Sequence, residues 1–490
     1  MRRFLGAVAT VTILAGCGGA GGASSTRVTD AQPTSSGSNL PIPTVAPTPE
    51  GGLFEHISQK RPTPIAMPSW GHSFEGTEFQ YGYSKRFDVA TDRFGNVFVA
   101  GDFKGTVNLG GEPLESQGQG DILVAKFDIL GNLLWSKRFG DSEDQIFSGL
   151  TVDHDGNVIL TGVFDGTLDF GAFALTADYL NVFIAKLDPK GEPVWGRRFG
   201  TAQTAQWATA ITTDADGDVL YAGNQEGTVD YGGLSLKTKG TFIVTVKFDP
   251  SGKPLWGKTF SGSTDQEVAS IAAGPNGAVV VAGTTKWSTI DGVTLGGKGQ
   301  MDIFAVQWDA DGKLAWAESF GDKEDQSLES MALDAQGGVV LAGSFLGKLD
   351  FAGVPLSADP KATSSSFFVA KLDAQGRPRY SRAFATGGPV AVDGLGDVFI
   401  AASLAGKTSY GTFPVTSAGA HDVVIVKLDS SGDTVATNRA GDALDQTAGA
   451  IAVDASGSVV VLGRFAGDMD LGTGELESVS GQDLFLAKLP

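Results

Sequence analysis

The chain has 490 residues, of which 41% are hydrophobic, 69 are glycine and one is cysteine, and its formal net charge is -20. This composition indicates a globular protein rather than a disordered one. The negative charge, without a basic cluster after the leader, argues against binding to nucleic acid or to an anionic membrane surface, and a lone cysteine excludes an intrachain disulfide. We interpret the acidity as a source of solubility, with an acidic patch for cationic partners as the alternative.

Residues 1–16 have the features of an export signal. A positive pair at residues 2–3 precedes an apolar stretch, residues 4–15, that is too short to span a membrane stably. The residues before Cys17 resemble the lipobox of bacterial lipoproteins: Leu14, Ala15 and Gly16. The resemblance implies cleavage after Gly16 and acyl chains on Cys17 that anchor the protein in a membrane. An ordinary signal peptide with an incidental cysteine is the alternative.

Residues 17–65 are rich in Gly, Ser, Thr and Pro and have no apolar period, which predicts a disordered tether. Gly18 rather than Asp follows the cysteine, and in some bacteria this accompanies release to the outer membrane. We therefore expect a cell-envelope protein, an outer-membrane lipoprotein, without deciding between the periplasmic and the external side. Residues 66–490 are expected to form one repeat domain.

The domain repeats a unit that is well represented by residues 150–200. In this unit Asp153 and Gly156 enclose a tetrapeptide between two runs of alternating apolar residues, and Asp188 and Gly191 enclose a second one. An Asp that binds the amides ahead of it, followed by a Gly in a left-handed conformation, predicts a tight hairpin turn in each case. Two hairpins give four strands per unit, which we label a to d.

The period of the repeat follows from the first turn glycine, which recurs at intervals of 59 to 61 residues: Gly95, Gly156, Gly217, Gly277, Gly337, Gly396 and Gly457. Strand a, as in residues 149–153, is expected to be the shortest, and strand c, as in residues 121–127, to be buried on both faces. Strand d carries an aromatic pair in most units: Trp135/Phe139, Trp195/Phe199, Trp256/Phe260, Trp316/Phe320 and Tyr380/Phe384.

The last unit ends after strand c, at residues 483–490, whereas Trp70 and Phe74 repeat the strand d pattern upstream of the first unit. The fourth strand of the last unit is therefore predicted to come from the N-terminal side. Together these features predict an all-β, seven-bladed β-propeller with four antiparallel strands per blade, in which the ring is closed by an N-terminal strand in the last blade.

The elements GNVxxxGxF, GTxDFG, DxFVAKLDxxG and Trp-x-x-x-Phe-Gly together resemble the bacterial seven-bladed β-propeller repeat family, the SBBP repeat, over residues 69–490. The resemblance implies a propeller fold and an extracytoplasmic location, but no shared activity. Two units depart from the pattern. Lys286 and Trp287 replace Gly and Thr in unit four, and Ala436 and Ala440 replace the aromatic pair in unit six.

One set of polar residues recurs just before the end of the loop that leads into strand a, and it is the candidate rim or channel site. Its members are Asp144, Gln145, Gln206, Asp265, Gln266, Asp325, Gln326, Asp445 and Gln446. Carboxylates and amides around a central channel could bind sugar or a metal ion. A residue needed in most units, however, more simply holds a loop together, and we favour that interpretation.

Other motifs carry weaker signals. Residues 401–408 nearly spell a P-loop and residues 214–218 suggest a calcium loop, but both align with strands and turns of the repeat and are interpreted as structural. The four histidines have no ligand spacing: His56, His72, His154 and His421. The tryptophans are assigned to core packing, with a stacking platform for sugar as the alternative. We predict no catalytic residue, metal site or cofactor.

The working face is predicted from the connections between strands. The turns a–b and c–d are short, whereas the b–c insertions, such as residues 165–179, are long and differ between units, so we expect them to form the binding surface. The predicted function is that of a monomeric, lipid-anchored binding or scaffold module for a protein or polysaccharide. The alternatives are a carbohydrate-active hydrolase or lyase with acids in the channel, and an envelope assembly factor with quinoprotein-like repeats.

Overall fold

The structure is a computed structural model that describes residues 69–78, 87–201, 206–351, 353, 355–358, 365–479 and 481–490. The predicted signal, Cys17 and the tether lie outside these residues. No helix in the described part of the chain is long and apolar enough to cross a membrane.

The described residues form seven main antiparallel sheets, each with four strands in the order a–b–c–d, and two further short strands pair with strand b of sheet 1. Sheet 1 contains Phe87–Thr91, Val97–Val107, Asp121–Phe127 and Leu133–Phe139, and sheet 2 contains Gln145–Val152, Val158–Asp169, Ala174–Leu187 and Pro193–Phe199. Sheet 3 contains Gln206–Thr213, Val219–Gln225, Phe242–Phe248 and Pro254–Thr259, and sheet 4 contains Gln266–Ala273, Val279–Thr285, Asp302–Trp308 and Leu314–Phe320. Sheet 5 contains Gln326–Leu333, Val339–Phe345, Ser366–Leu372 and Pro378–Phe384, and sheet 6 contains Val390–Val392, Val398–Tyr410, Phe413–Leu428 and Thr434–Ala440. Sheet 7 contains Gln446–Val453, Val459–Phe465, Asp483–Leu489 and, as its strand d, Trp70–Phe74.

Short elements accompany these sheets. They are the strands Gly76–Glu78, Leu114–Glu115, Thr228–Asp230, Ser235–Lys237, Ser261–Gly262, Trp287–Ile290, Val293–Gly296, Lys348–Asp350, Pro355–Ser357, Asp468–Met469 and Leu476–Glu477, and the 3-10 turn Pro275–Gly277. Most of the short strands pair within the b–c insertions, where they form small hairpins. The insertions are therefore regular secondary structure rather than open loops.

The predicted Asp-x-x-Gly turns are confirmed. At the first a–b turn, the carboxylate of Asp92 accepts hydrogen bonds from the amides of Phe94 and Asn96 at 2.9 and 3.0 Å, and Gly95 has a φ of 79°. That angle is favourable for glycine and strained for residues with a β-carbon. The turn recurs with the same bonds at Asp153, and the remaining units follow the same pattern except the a–b turn of sheet 4, where Gly274 replaces the Asp.

Strand c is the core of each sheet, as predicted, and is buried along its whole length in sheets 1, 3, 5 and 7. Each sheet packs face to face on the next through clusters of Val, Ile, Leu and Phe, so a side chain between two sheets is covered from both sides. Successive four-stranded antiparallel meanders stacked in this way are the arrangement of a β-propeller. The chain is therefore an all-β repeat protein of the propeller type.

The prediction that strand a is the shortest holds in sheets 1 and 6 and is wrong in the other five sheets. It has eight residues in five of the sheets and begins at the glutamine of the candidate rim set, for example at Gln145. Each of these five strands contains a β-bulge at one residue: Ser148, Thr209, Ala269, Glu329 and Gly449. The bulge interrupts the alternation of apolar residues, which is why the pattern of the sequence covers only the second half of the strand.

The b–c insertions, which were predicted to form the binding surface, also pack against neighbouring strands. Phe170 of the sheet 2 insertion is buried, with its ring 4.7 Å from that of Phe139 in strand d of sheet 1. The same contact joins Tyr231 to Phe199 at 5.0 Å and is repeated between sheets 4 and 5. Within its own sheet the insertion also lies on strand d, since a β-carbon at Gly196 would approach Phe173 to 2.2 Å.

The physical reason is the shape of the space between neighbouring sheets. Sheets that radiate from a common axis diverge outward, so a wedge opens between the outer strands and must be filled to native packing density. The insertion hairpins fill it with large apolar side chains. Their variation in length therefore reflects packing as well as any recognition.

The strand Trp70–Phe74 pairs with Asp483–Leu489 in antiparallel register, with Trp70 opposite Lys488 and Phe74 opposite Leu484. One core cluster joins residues of sheet 7 to residues of sheet 1. Polar contacts join the same two sheets, since the Nζ of Lys488 donates to the carbonyl oxygen of Gly95 at 2.9 Å.

Candidate functional site

The connections between strands lie on two faces, which differ in what they can bind. The a–b and c–d turns form the turn face, and the b–c and d–a connections form the loop face.

On the turn face, buried ion pairs join strand c to the a–b turn. Lys186 Nζ lies 2.8 Å from Asp153, Lys371 Nζ lies 2.9 Å from Asp334, and in sheet 7 the Nζ of Lys488 lies 2.7 Å from Asp454. In sheet 4 both partners are replaced together, the Lys by Gln307 and the Asp by Gly274. Because a buried charge is costly without its partner, the paired replacement indicates a structural role for the pair.

Residues 214–218, the calcium-like segment, belong to this system. Asp214 and Asp218 both lie within 3.0 Å of the Nζ of Lys247. Burial raises the pKa of Asp218, although the hydrogen bond from Lys247 acts in the opposite direction. The ammonium group of the chain is thus the cation held by these carboxylates, in agreement with their interpretation as turn residues.

The repeated tryptophans of strand d link each sheet to the next one. Trp135 of sheet 1 donates its indole N–H to the carbonyl of Pro189 in the c–d turn of sheet 2, at 3.1 Å. The other indoles make the same bond at 2.9 to 3.1 Å, from Trp70, Trp195, Trp256 and Trp316 to Ile129, Pro250, Ala310 and Ala374. These tryptophans are therefore structural, as expected, and none of the five offers a free stacking platform.

On the loop face, three glutamines of the candidate rim set hold the d–a loops: Gln145, Gln326 and Gln446. Gln145 is buried, its Nε2 donates to the Asp141 carboxylate at 2.9 Å and to the Asp165 carbonyl at 3.2 Å, and its Oε1 accepts from the Asp141 amide at 3.1 Å. Gln326 and Gln446 make the corresponding bonds to Asp322 and Asp442. Their geometry favours the structural interpretation.

The carboxylates of the same set are placed differently, because three of them are exposed on the loop face: Asp144, Asp265 and Asp325. Asp445 is half-buried, and its carboxylate lies 2.8 Å from the Nδ1 of His421. The backbone of these residues is structural, since the carbonyl of Asp144 accepts from the amide of Asp165. Their side chains remain available to a ligand or to solvent.

A second set of acidic positions, which sequence reasoning missed, lies at the start of strand c. Asp121 and Asp422 are buried and pair with Arg138 and Arg439, each 17 residues further along the chain. Asp302 is equally buried but has Ser319 in place of the arginine, and its carboxylate accepts from the amide of Lys298 at 3.0 Å. Burial raises the pKa of Asp302, which the amide and the charge of Lys298 only partly oppose.

This raised pKa leads to a pH-dependent prediction. The folded protein binds the proton of Asp302 more tightly than the unfolded chain does, so stability falls as the pH rises from the unfolded pKa through the folded one. Asp302→Asn removes that loss and is expected to raise the melting temperature at pH 7, but not at pH 3. Circular dichroism melts at several pH values test this. Asp121→Asn, which deprives Arg138 of its charge partner, should lower the melting temperature at pH 7, and a decrease for both variants would contradict the argument.

Two tryptophans lie outside the strand d pattern and are exposed on the loop face. Trp207, the second residue of strand a in sheet 3, is 43% exposed, and Trp287, in the insertion of sheet 4, is 46% exposed. The positions equivalent to Trp207 in the other long strands a hold Ile146, Glu267, Ser327 and Thr447. An indole in solvent where other units have smaller side chains is not explained by packing. The signal was in the sequence, as a tryptophan out of phase with the repeat.

The surroundings of Trp207 are polar. Trp207 lies opposite Asn224 and Glu267 lies opposite Thr284, so the indole and the carboxylate occupy equivalent places on neighbouring strands a, which contact each other. The Nδ2 of Asn224 donates to the carbonyl of Gln266 at 3.2 Å and fixes the two strands. The exposed indole of Trp207 and the half-buried Glu267 therefore lie on adjacent strands, whereas Asn224 is buried and links the two sheets.

Glu329, at the β-bulge of sheet 5, is the other unusual carboxyl group. It is partly buried and hydrogen-bonded to Ser344 of the same sheet, and burial raises its pKa while the bond from Ser344 acts to lower it. A carboxyl group that retains its proton at higher pH can act as a general acid.

The remaining candidates are structural. Residues 401–408 lie within the continuous strand Val398–Tyr410, so the helix that a phosphate cradle needs is missing, and the amide of Gly406 binds Ser417. His72 bonds to the carbonyl of Gly131 and His154 to Arg93. Over the described residues, no group of three His, Cys, Asp or Glu side chains is arranged to hold a metal ion.

No family model matches the chain. It is 26% identical over 204 residues to the regulatory protein FlaEY of Caulobacter vibrioides, which covers 39% of this chain and 21% of that protein. It is 22% identical over 208 residues to the uncharacterized WD repeat-containing protein L264 of Acanthamoeba polyphaga mimivirus, covering 35% of this chain and 15% of the other. The matched parts are thus a minor share of the length of both relatives.

Among solved structures, the chain is similar to the polysaccharide lyase Uly1, with 11% identity, a TM-score of 0.43, and 85% of this chain and 93% of that chain covered. It is also similar to the β-propeller domain of the Trilobed protease from Pyrococcus furiosus, with 12% identity, a TM-score of 0.40, and 83% and 94% covered. Because identities this low carry no activity over, a function has to be inferred from the residues of the chain itself.

Proposed function

We propose that the domain is a closed ring of seven blades, with Trp70–Phe74 as the outer strand of the last blade. The contacts between strands a support this proposal. Each strand a contacts strand a of the next sheet, and strand a of sheet 7 contacts strand a of sheet 1. The bond from Trp70 to Ile129 adds to this, since it repeats between sheets 7 and 1 the link that joins the other sheets. A closed ring leaves only the short strands d exposed as sheet edges, which favours a monomer.

We further propose that the protein is a lipid-anchored, cell-envelope binding module that recognises polysaccharide through its loop face. The observation that carries the ligand class is the exposed indole of Trp207 on strand a of sheet 3, with Glu267 at the equivalent position of the neighbouring strand a. Sugars bind such sites by stacking their C–H faces on the ring and by hydrogen bonding to carboxylates and amides. The lipobox and the tether of residues 17–65 support the location.

The test is binding of the full chain to a glycan array, followed by titration of the best glycan. Trp207→Ala is expected to weaken binding by at least about tenfold, or about 1.4 kcal/mol, because the stacking surface is lost. Ser327→Ala, at the equivalent position of sheet 5, is the matched control and should leave affinity unchanged. Both variants should melt like the parent, since both positions are exposed. Equal affinity of parent and Trp207→Ala, or binding to protein alone, would contradict the polysaccharide assignment.

The anchor is tested separately. Mass spectrometry of the protein from its native membrane is expected to show an N-terminus at Cys17 that carries acyl chains, and Cys17→Ser should release the protein to the soluble fraction. An unmodified N-terminus at another residue would disprove the anchor without affecting the glycan site.

A carbohydrate-active hydrolase or lyase is the second candidate, and Glu329 is the observation that favours it. Its raised pKa suits a general acid, although a glycosidase also needs a second carboxylate within about 5 to 10 Å of the first. The expected result for this candidate is release of reducing ends from a bound glycan, abolished by Glu329→Gln while binding persists. Binding without release would leave the binding module as the function.

A further inference from the structure

The turns of sheet 1 depart from the composition of the other turns. Phe94 in its a–b turn is 62% exposed, and Ile129 and Leu130 in its c–d turn are 39% and 61% exposed. We call these three residues the apolar turn patch. The equivalent residue pairs elsewhere are mostly small or polar: His154-Asp155, Pro189-Lys190, Ala215-Asp216, Pro250-Ser251, Pro275-Asn276, Ala310-Asp311, Ala335-Gln336, Ala374-Gln375, Gly394-Leu395, Ser430-Ser431 and Ala455-Ser456.

The patch is continuous across the two turns. A β-carbon at Gly95, next to Phe94, would lie 3.3 Å from the Cδ1 of Ile129. The guanidinium group of Arg93 lies 4.7 Å from the centre of the Phe94 ring and also contacts the Nε2 of His154. The carboxylates of Asp92 and Asp128, which open the two turns, are occupied by backbone amides of those turns. A small apolar surface beside an arginine and an aromatic ring resembles segments that lie at membrane interfaces.

The apolar turn patch lies beside the first strand of the described domain, Trp70–Phe74. Trp70 begins the outer strand of sheet 7 at the turn face, because it pairs with Lys488, whose ammonium group reaches the a–b turn of sheet 1. The indole of Trp70 donates to the carbonyl of Ile129 itself. The N-terminal strand of the described domain therefore begins beside the patch. Leu395, in the a–b turn of sheet 6, is 81% exposed on the same face.

We propose that the apolar turn patch docks into the interface of the phospholipid bilayer, so that the turn face lies on the membrane and the loop face points away. This inference rests on the proposed lipid anchor for its biological setting, but not for its test. The anchor would hold the patch at high effective concentration near lipid, where a few side chains suffice for docking. A net charge of -20 opposes both anionic lipid and self-association, so zwitterionic lipid is the occupant.

The experiment uses the full chain with Cys17→Ser, which removes the lipid and the only cysteine. One variant adds Leu130→Cys, and the matched control adds Ser251→Cys, the same position in the c–d turn of sheet 3. Both are labelled with the environment-sensitive fluorophore NBD and mixed with excess phosphatidylcholine vesicles. We expect the emission at position 130 to shift to the blue and to rise at least twofold, with no change at position 251. Adding phosphatidylglycerol should weaken the response.

A second measurement guards against an effect of the label. In vesicle sedimentation, the unlabelled Cys17→Ser chain is expected to bind at least tenfold more weakly after Phe94→Asp and Ile129→Asp, with an unchanged melting temperature. The proposal is wrong if the fluorophores at positions 130 and 251 respond equally or if neither responds. It is also wrong if ultracentrifugation shows a dimer that Phe94→Asp dissociates. Because Cys17 is absent, these results do not depend on whether it is lipidated.

Discussion

Deletion of residues 69–74 is expected to cause aggregation at temperatures where the parent protein does not aggregate. Strand Asp483–Leu489, buried along its whole length, would lose its partner and present an unpaired edge. Such an edge pairs with other chains. In the deletion variant, sheet 7 would have no strand d to cover it. Light scattering and size-exclusion chromatography of the deletion variant are the measurements.

Trp70→Ala tests the same strand with a smaller change. The indole is 8% exposed and donates a 3.0 Å hydrogen bond to sheet 1, so its removal should cost about 3 to 5 kcal/mol of the free energy of unfolding. Val435→Ala, on the exposed side of strand d in sheet 6, should cost less than about 0.5 kcal/mol and serves as the control. A deletion variant that stays monomeric with the melting temperature of the parent would refute the closure of the ring.

Replacement of Lys488 by Met is expected to cost about 3 to 5 kcal/mol, because the side chains of Lys488 and Asp454 are each only 1% exposed and the carboxylate would stay buried without its partner. The change also removes the bond from Lys488 to Gly95 that joins sheets 7 and 1. Chemical denaturation monitored by tryptophan fluorescence measures the loss.

The chain itself provides the control for this prediction. Sheet 4 folds with Gly274 and Gln307 at the same two positions, so the double variant Asp454→Gly, Lys488→Gln should recover much of the stability that Lys488→Met loses. A double variant less stable than Lys488→Met would show that the cost does not arise from an unpaired charge.

The same pair predicts a dependence on acid. Burial raises the pKa of Asp454, but the hydrogen bonds from Lys488 and Ser456 outweigh it, so the folded pKa lies below the ordinary value. The contribution of Asp454 to stability is therefore present above the unfolded pKa and is lost as the pH falls through the folded one. The double variant is expected to lack this part of the acid sensitivity.

The local features of the fold could be predicted because each depends on residues close in sequence. An Asp-x-x-Gly turn needs only four residues, and a strand c buried on both faces needs only an unbroken apolar run. The outer strand from the N-terminal side was also predictable, since Trp70 and Phe74 repeat a spacing found in the other units.

The parts that could not be predicted depend on neighbouring sheets. Nothing within residues 165–179 indicates that Phe170 will be covered by Phe139 of the preceding sheet, so the insertion resembled a free loop. Gln145 likewise bonds to the carbonyl of Asp165, which lies 20 residues further along the chain. Trp207 in the candidate site and Phe94 in the apolar turn patch can be recognised from the sequence. Each is an aromatic residue at a position where most other units have a different kind of residue.

The missing aromatic residue of sheet 6 fixes the order of the units. Each Trp or Tyr of strand d covers a c–d turn in the following sheet, as Tyr380 does for Gly432, and only sheet 7 has no such turn, because its strand d comes from Trp70–Phe74. Ala436 precedes that sheet and has nothing to cover. If units five and six were exchanged, Ala436 would lie beneath a c–d turn and Tyr380 would have no turn to cover. The units are therefore not interchangeable, although their sequences are similar. Duplication of an internal unit, in contrast, would preserve every such contact. In the proposed ring, only the curvature would oppose the extra unit.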